Sequence, residues 1–191
     1  NVLDAEQGLD LAVEIPIDPG PDMLAAFVRA LSRSTVVRAA INGDIVFEQA
    51  QPTLTFGEAN VSVPPGAFVQ AVADAQDNMI ELVERHLKKA KNVADLFAGS
   101  GTFSMPLSRT ARVTAYESDT NAVETLKHVP QPKRHKPVGV LMRDLFDAPL
   151  STRELEKFDG LCLDPPRAGA DDQVRNIAKS NIARLAYVSC N

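Results

Sequence analysis

The chain has 191 residues, 45% of them hydrophobic and 24% charged, as in a globular protein with one sizeable core or two unequal domains. No apolar run approaches the roughly 20 residues that span a bilayer, so we expect no membrane partner. The two cysteines, Cys162 and Cys190, are too few for a disulfide scaffold or a Cys-rich metal site. Both lie in apolar runs, which favours reduced thiols in a cytoplasmic protein without a bound metal. Because the chain begins at Asn1 rather than Met, we expect a fragment of a longer protein.

The formal net charge of −5 argues mildly against an RNA partner, because nucleic-acid-binding domains are usually basic. Local basic patches still offer contacts with phosphate. They comprise Arg29, Arg33 and Arg38, then Lys88, Lys89 and Lys91, and finally Lys133, Arg134, His135 and Lys136. For the last stretch the sequence favours a solvated loop over a phosphate contact.

Residues 1–63 have the pattern of a small α+β domain. Strands are predicted at 9–17 and 56–63, and a helix at 22–32, where apolar residues recur with helical spacing. A hairpin is predicted at 36–47, because Asn42-Gly43 is a strong two-residue turn signal.

From residue 64 the pattern changes, which places the domain boundary between 1–63 and 64–191. A Pro-Pro-Gly sequence is followed by a long amphipathic helix over 67–90 and then by alternating strands and helices. The predicted strands are 93–97, 113–117, 138–142, 158–163 and 185–190, and the helices are 103–108, 120–127 and 172–180. Alternation of apolar strands with helices predicts a doubly wound parallel sheet, an α/β fold.

A glycine turn, DLFAGSG at 95–101, follows the first of these strands and opens a helix. Glycine lets the backbone approach a ligand closely, and Glu117 at the end of the next strand can accept both ribose hydroxyls of an adenine nucleotide. The third glycine of the dinucleotide pattern is replaced by Ser104, so the turn suits a nucleoside plus amino acid better than a pyrophosphate. Asp144 follows the next strand and is a candidate for the adenine amino group, or else an aspartate in a solvated loop or at a helix N-cap.

Two further motifs end strands at the edge where open α/β sheets bind ligands. Asp164 begins the rigid turn DPPRAG, where it can accept from a base or orient a cofactor. Cys190 lies between two polar residues in the sequence SCN, where a nucleophile is expected, although a lone cysteine after a strand is more often core. Cys162 lies inside its strand and is predicted to be core.

Together these motifs resemble the RNA 5-methyluridine methyltransferase family, most closely its 23S ribosomal RNA branch. The resemblance rests on PGAFVQ at 65–70, DLFAGSG at 95–101, LDPPRAG at 163–169 and SCN at 189–191. It implies a Rossmann-like, S-adenosylmethionine-dependent methyltransferase domain, an rRNA or tRNA substrate and a monomer. The implied cofactor-binding residues are Gln70, Phe97, Gly99, Gly101, Thr102, Glu117, Asp144 and Asp164.

The resemblance also implies that Cys190 is the nucleophile, assisted by Asp164, and that the general base is a glutamate well beyond Asn191. We therefore expect the sheet to be incomplete at its C-terminal end and the 191-residue chain to bind cofactor weakly and not to turn over. The family's N-terminal RNA-binding barrel and its four-cysteine iron–sulfur cluster are not expected within it. Val72 and Thr102 depart from the family pattern, where asparagine is frequent.

Three alternatives remain open from the sequence. The first is a methyltransferase acting on an exocyclic amine of RNA or DNA, although Arg167 occupies the place of the aromatic residue that such enzymes use. The second is a non-catalytic RNA-binding module with the same fold. The third is a nicotinamide oxidoreductase, which the missing third glycine disfavours.

Overall fold

The computed structural model describes residues 1–67 and 73–189, with the backbone alone for residues 73 and 74. The chain divides into two compact units, Asn1–Leu54 with Asn60–Ala71, and Thr55–Ala59 with Val72–Asn191. The predicted division at residue 64 stays a prediction. Within the described ranges no helix is long and apolar enough to cross a membrane.

The first unit contains a four-stranded sheet with the order β1-β2-β3-β4. Its elements are β1 (Val2–Ala5), β2 (Gly8–Val13), α1 (Pro21–Leu31), β3 (Val36–Ile41) and β4 (Asp44–Glu48). The middle pair, β2 and β3, is parallel, and the outer pairs are antiparallel. The predicted hairpin is present, and its turn residues Asn42 and Gly43 both have positive φ, 51° and 91°.

A buried ion pair holds the centre of the first unit. Arg38 on β3 donates to both carboxylate oxygens of Asp10 on β2, at 2.9 and 2.6 Å, and also to the carbonyl oxygen of Val63. Both charges lie below 5% exposure, where an ion pair persists only when its hydrogen bonds are satisfied. The basic patch predicted from Arg38 is therefore wrong for this residue, because its guanidinium is internal.

A two-stranded hairpin, β5 (Thr53–Phe56) and β6 (Ala59–Ser62), replaces the single strand predicted at 56–63. Gly57, with φ of 62°, makes the tight turn.

The second unit is built on a five-stranded sheet with the order β11-β10-β7-β8-β9, and all its neighbouring strands are parallel. Its strands are β7 (Asn92–Leu96), β8 (Arg112–Glu117), β9 (Val138–Met142), β10 (Gly160–Leu163) and β11 (Leu185–Tyr187). Its helices are α2 (Ala73–Leu87), α3 (Ser104–Leu107), α4 (Thr120–His128), α5 (Thr152–Leu155) and α6 (Asp171–Ala178). This strand order is that of a Rossmann-like α/β fold, so the predicted fold class is confirmed.

Apolar side chains cover both faces of this sheet. One cluster includes Val83 and Leu87 of α2 with Val93 and Val113 of the strands. The other includes Leu96, Leu161 and Leu163 with Ile177 of α6. Because both faces are buried, the strands are continuously apolar rather than alternating, as the sequence indicated.

Candidate functional site

The strand order reverses between β7 and β10, because the chain passes from β7 to β8 on one side and returns to β10 on the other. Open α/β sheets bind ligands in the crevice at the carboxyl ends of two such strands. Phe97 directly follows β7 and Asp164 directly follows β10, so both stand at that crevice. The backbone N–H of Asp164 donates to the carbonyl oxygen of Leu96 at 3.3 Å, which fixes the two strand ends together.

The turn after β7 has three residues with positive φ: Phe97 at 62°, Gly99 at 54° and Gly101 at 99°. A bulky residue in this conformation is rare and concentrates at functional sites, a feature that sequence reasoning missed for Phe97. Gly101 is required by packing, since a Cβ there would stand 2.5 Å from Cδ1 of Leu126. At Gly99 a Cβ would meet no atom within 4 Å, so this side of the turn is open. An open, side-chain-free stretch of backbone is what a closely approaching ligand requires.

Glu117, at the end of β8, holds the turn in place. Its Oε2 accepts a 2.8 Å hydrogen bond from the backbone N–H of Gly99. Its Oε1 accepts from the backbone N–H groups of Ser118 at 2.7 Å and Asp119 at 2.9 Å. Because a carboxylate oxygen has two acceptor positions, Oε2 retains one for a ligand hydroxyl. The residue predicted to bind ribose therefore also organises the glycine turn.

Asp144 begins the loop after β9, beside Glu117. The backbone N–H of Arg143 donates to the carbonyl oxygen of Glu117 at 2.8 Å. The carboxylate of Asp144 accepts from the backbone N–H of Phe146 at 2.8 Å, and this tight turn directs Phe146 towards Phe97. The two rings lie 5.4 Å apart between centroids, tilted by 55°.

Phe146 is a candidate site residue that the sequence analysis missed. Its side chain is 49% exposed although it is aromatic, and it also borders a groove lined by Gly169 and the start of α6. The only signal in the sequence was an aromatic residue two positions after a candidate adenine-binding aspartate.

Asp95 is a second residue that sequence reasoning missed. It lies inside β7 and is completely buried, and its Oδ2 accepts a 2.6 Å hydrogen bond from the hydroxyl of Ser104. Its Oδ1 has no hydrogen-bond partner among the described residues. Burial, opposed in part by the Ser104 hydroxyl, raises the pKa of Asp95 from 3.8 to about 7. A carboxyl group in an otherwise apolar strand was the signal that could have found it.

Burial also raises the pKa of Asp164 from 3.8 to about 6. Its side chain remains partly accessible, so it can meet a ligand in the crevice. Cys162, two residues earlier, is fully buried, and desolvation raises the pKa of its thiol well above 9.0. A thiol in that environment stays protonated and unreactive.

Comparison with known proteins shows which family the chain belongs to. A family model described as "Conserved hypothetical protein 95" matches residues 68–188. The chain belongs to that family.

Several proteins that are similar in sequence to this chain are named as RNA methyltransferases. An uncharacterized RNA methyltransferase of Rhizobium meliloti is 44% identical over 191 residues, all of this chain and 46% of that protein. The 23S rRNA (uracil(1939)-C(5))-methyltransferase RlmD of Pseudomonas savastanoi pv. phaseolicola is 39% identical over 132 residues, 66% of this chain and 29% of that protein. The chain thus spans less than half the length of these relatives. The predicted relationship to RNA methyltransferases is confirmed at this level.

The fold also has a solved counterpart. The Pyrococcus abyssi tRNA (uracil-54, C5)-methyltransferase, crystallised with S-adenosyl-L-homocysteine, superposes with a TM-score of 0.69 at 19% identity, over 96% of this chain and 47% of that chain. At this identity the likeness supports the fold, and the chemistry has to be argued from the site itself.

In this member of the Conserved hypothetical protein 95 family, the structure brings together most of the predicted site. Phe97, Gly99, Glu117, Asp144 and Asp164 all lie at the carboxyl ends of neighbouring strands. Gly101 packs against the side chain of Leu126 and does not face the open side of the turn. Thr102, the next residue, is half-buried.

Two predicted residues, Gln70 and Cys190, lie outside the described residues. The chain before Cys190 runs at the same edge, because the backbone N–H of Val188 donates to the carbonyl oxygen of Leu163 at 2.9 Å. Among the residues that the structure covers, no cluster of three or more His, Cys, Asp or Glu residues has the arrangement of a metal site.

Proposed function

We propose that the protein is an S-adenosylmethionine-dependent RNA methyltransferase that methylates carbon 5 of uridine, in 23S ribosomal RNA. The observation that carries the cofactor assignment is the hydrogen bond between the Gly99 N–H and Glu117 Oε2, which joins the turn after β7 to the end of β8, beside the crevice between β7 and β10. It presents open backbone and a carboxylate side by side, which is the chemistry that a nucleoside with an attached amino acid requires.

The described residues fit such a ligand. Glu117 retains an acceptor position for a ribose hydroxyl, and the rings of Phe97 and Phe146 offer apolar faces for an adenine. The half-buried carboxyl of Asp164 is an acceptor for an ammonium group. The residues proposed to hold S-adenosylmethionine are Gln70, Phe97, Gly99, Gly101, Thr102, Glu117, Asp144 and Asp164.

A nicotinamide dinucleotide fits less well. The residue at the third glycine position is Ser104, which is completely buried and whose hydroxyl is committed to Asp95. The helix that begins there is a single turn, Ser104–Leu107, so it offers little of the helix dipole on which a pyrophosphate normally rests.

The proposed nucleophile is Cys190. When bound, S-adenosylmethionine supplies an electrophilic methyl group. The Cys190 thiolate adds to carbon 6 of uracil, and the electron pair moves to give an enolate whose carbon 5 is nucleophilic. Carbon 5 would accept the methyl group that the cofactor supplies, and S-adenosylhomocysteine would be the leaving group. A base then removes the proton from carbon 5, and elimination returns the Cys190 sulfur as a thiolate.

Asp164 is proposed to hold the uracil edge or the cofactor during these steps. Because burial raises the pKa of Asp164 to about 6, the carboxyl is ionised near pH 7 yet only weakly solvated, so it is a strong acceptor. The resemblance assigns the base to a glutamate C-terminal to Asn191.

The choice of uridine carbon 5 rests on two supports. One is the SCN sequence at 189–191. The other is the name of the Pseudomonas savastanoi relative, which is a uracil carbon 5 methyltransferase of 23S rRNA. A methyltransferase for an exocyclic amine is disfavoured because Arg167, exposed to solvent, stands where an aromatic residue would stack on the base.

A methyl-transfer assay tests the proposal. The intact protein is incubated with radiolabelled S-adenosylmethionine and 23S rRNA, and the RNA is digested to nucleosides for chromatography. The proposal predicts label in 5-methyluridine. Label in a methylated adenosine, cytidine or guanosine would assign a different base, and binding of RNA without any transfer would favour a non-catalytic module.

A further inference from the structure

Three loops meet at the amino end of the parallel sheet, opposite the candidate site. The backbone N–H of Arg112 donates to the carbonyl oxygen of Lys91 at 2.9 Å, so the loop before β7 lies beside the start of β8. The backbone N–H of Lys136 donates to the carbonyl oxygen of Ser108 at 2.8 Å, and its ammonium group donates to the carbonyl oxygen of Thr110. These bonds place three basic segments of the sequence side by side.

We call this surface the basic edge. It consists of Lys88, Lys89, Lys91, Arg112, Lys133, Arg134 and Lys136. All seven are exposed except Lys136, which is half-buried. Within residues 1–67 and 73–189, none of the seven has a carboxylate within ion-pairing distance, whereas Lys127, Arg143 and Arg175 each do. The charge on this surface is therefore not neutralised by the fold itself.

A neighbouring carboxylate, that of Asp159, accepts hydrogen bonds from backbone groups. Asp159 precedes β10 at the same end of the sheet, and its carboxylate accepts from the backbone N–H groups of Lys91 and Asn92 at 2.8 to 3.0 Å. Arg109 lies near this end too, but its guanidinium stands 3.6 to 3.9 Å from Glu58 and Glu84, so we leave it out of the basic edge.

At the opposite end of the sheet acidic side chains outnumber basic ones. Glu117, Asp119, Asp144 and Asp164 lie at the carboxyl ends of the strands or within two residues of them. Arg143, which pairs with Glu154, and the exposed Arg167 also lie at this end. The strand β8 joins the two surfaces, since it begins at Arg112 and ends at Glu117. Five residue steps of about 3.3 Å separate them by roughly 17 Å. The net charge of −5 is therefore unevenly distributed, with a basic surface at one end of the sheet and a mainly acidic surface at the other.

We propose that the basic edge binds the phosphate backbone of RNA, at a segment separate from the nucleotide that enters the candidate site. Lysine and arginine side chains without a carboxylate partner bind the phosphates of nucleic acids. Binding is favourable because it releases the counterions that were condensed on the RNA. The inference rests on the proposed RNA substrate. One RNA molecule can contact both surfaces, because they lie only about 17 Å apart along β8. The basic edge would then attract the RNA phosphates, which the acidic side chains around the candidate site repel.

The test measures binding of a uridine-free RNA hairpin to the intact protein over a range of salt concentrations. The variant Lys89→Gln/Lys91→Gln/Arg112→Gln removes three charged side chains. Within the described residues these side chains make no hydrogen bond or ion pair, so the fold should persist. A matched control, Arg29→Gln/Arg33→Gln/Arg175→Gln, removes three exposed charges that are not members of the basic edge. Calorimetry with S-adenosylhomocysteine shows whether the candidate site is intact in each variant.

We expect the basic-edge variant to bind the hairpin roughly tenfold or more weakly near 0.1 M salt, with a slope of log K against log salt that is shallower by about 2 to 3. The control should keep most of the affinity and the slope. An unchanged slope in the basic-edge variant, or an equal loss in the control, would overturn the inference. Because the hairpin contains no uridine, failure of uridine methylation would refute the proposed function without altering this result.

Discussion

The backbone N–H of Gly99 donates a 2.8 Å hydrogen bond to Oε2 of Glu117, which joins the turn after β7 to the end of β8. The same carboxylate accepts two more backbone N–H groups, from Ser118 and Asp119. Glu117 therefore holds the glycine turn in its conformation and also lines the candidate site. This double role means that loss of its charge should affect the fold and the ligand together.

Replacing Glu117 with Gln should weaken S-adenosylhomocysteine binding by roughly ten- to a hundredfold. The amide has one acceptor oxygen instead of two, so either the turn or the ribose loses a charge-assisted hydrogen bond, worth about 1.5–3 kcal/mol. Calorimetry on the intact protein measures the loss. The control is Glu124→Gln, which removes an exposed carboxylate on α4 that pairs with Lys127 and should leave binding unchanged. Equal binding by both variants would remove Glu117 from the site.

The two glycines of the turn should respond differently to Ala. Gly101→Ala places a Cβ 2.5 Å from Leu126 at a φ of 99°, so thermal unfolding should show a loss of about 1–3 kcal/mol. Gly99→Ala meets no neighbour and should destabilise less. It fills the open side of the turn, however, so it should reduce S-adenosylhomocysteine affinity more than stability. Normal affinity in folded Gly99→Ala would show that the ligand does not approach this backbone.

Phe146→Ala should lower S-adenosylhomocysteine affinity about tenfold with little change in stability. Nearly half of the side chain is exposed, so its burial contributes little to folding, whereas stacking on an adenine is typically worth about 1–3 kcal/mol. Leu141→Ala, at a position that is 50% exposed on β9, is the control for loss of an exposed apolar side chain. A similar small effect on affinity in both variants would contradict an adenine position beside Phe146.

The buried carboxyl of Asp95 should make the protein more stable as the pH falls from about 7 towards 4. Its pKa in the folded protein is raised from 3.8 to about 7, so between these values the folded state holds a proton that the unfolded state has lost. Stability from this group is therefore present at low pH and declines as pH rises through the window. Asp95→Asn keeps an acceptor for Ser104 without the charge, and should flatten urea-denaturation stability across pH 4–7. An unchanged pH slope in Asp95→Asn would show that Asp95 is not the group responsible.

The sequence was sufficient to predict the architecture of the second unit, because continuously apolar strands alternating with helices admit few arrangements. Placing Phe97, Glu117, Asp144 and Asp164 at one edge followed from that architecture, since each ends a parallel strand or follows one within two residues. The helix α5 was missed because it is a single turn, although Ser151 and Glu154 form a capping box that marks its start.

The features that the sequence did not predict depend on contacts between residues that are far apart in the sequence. The positive φ of Phe97 and its contact with Phe146 are set by the turn and the loop after β9 together. The basic edge combines residues up to 48 positions apart, from Lys88 to Lys136. Single stretches such as 133–136 had no distinguishing pattern, and only the pairing of β7, β8 and β9 shows that three stretches form one surface.

Release of tritium from RNA labelled at carbon 5 of uridine tests the central claim most directly. Methylation at carbon 5 expels the hydrogen bound there, whereas methylation of an amine or a ribose leaves it in place. With S-adenosylmethionine, the intact protein should release tritium in proportion to methyl transfer, Cys190→Ala should release none, and Cys162→Ala, which alters a buried core thiol, should retain release. Methyl transfer without tritium release, or release that persists in Cys190→Ala, would contradict the account.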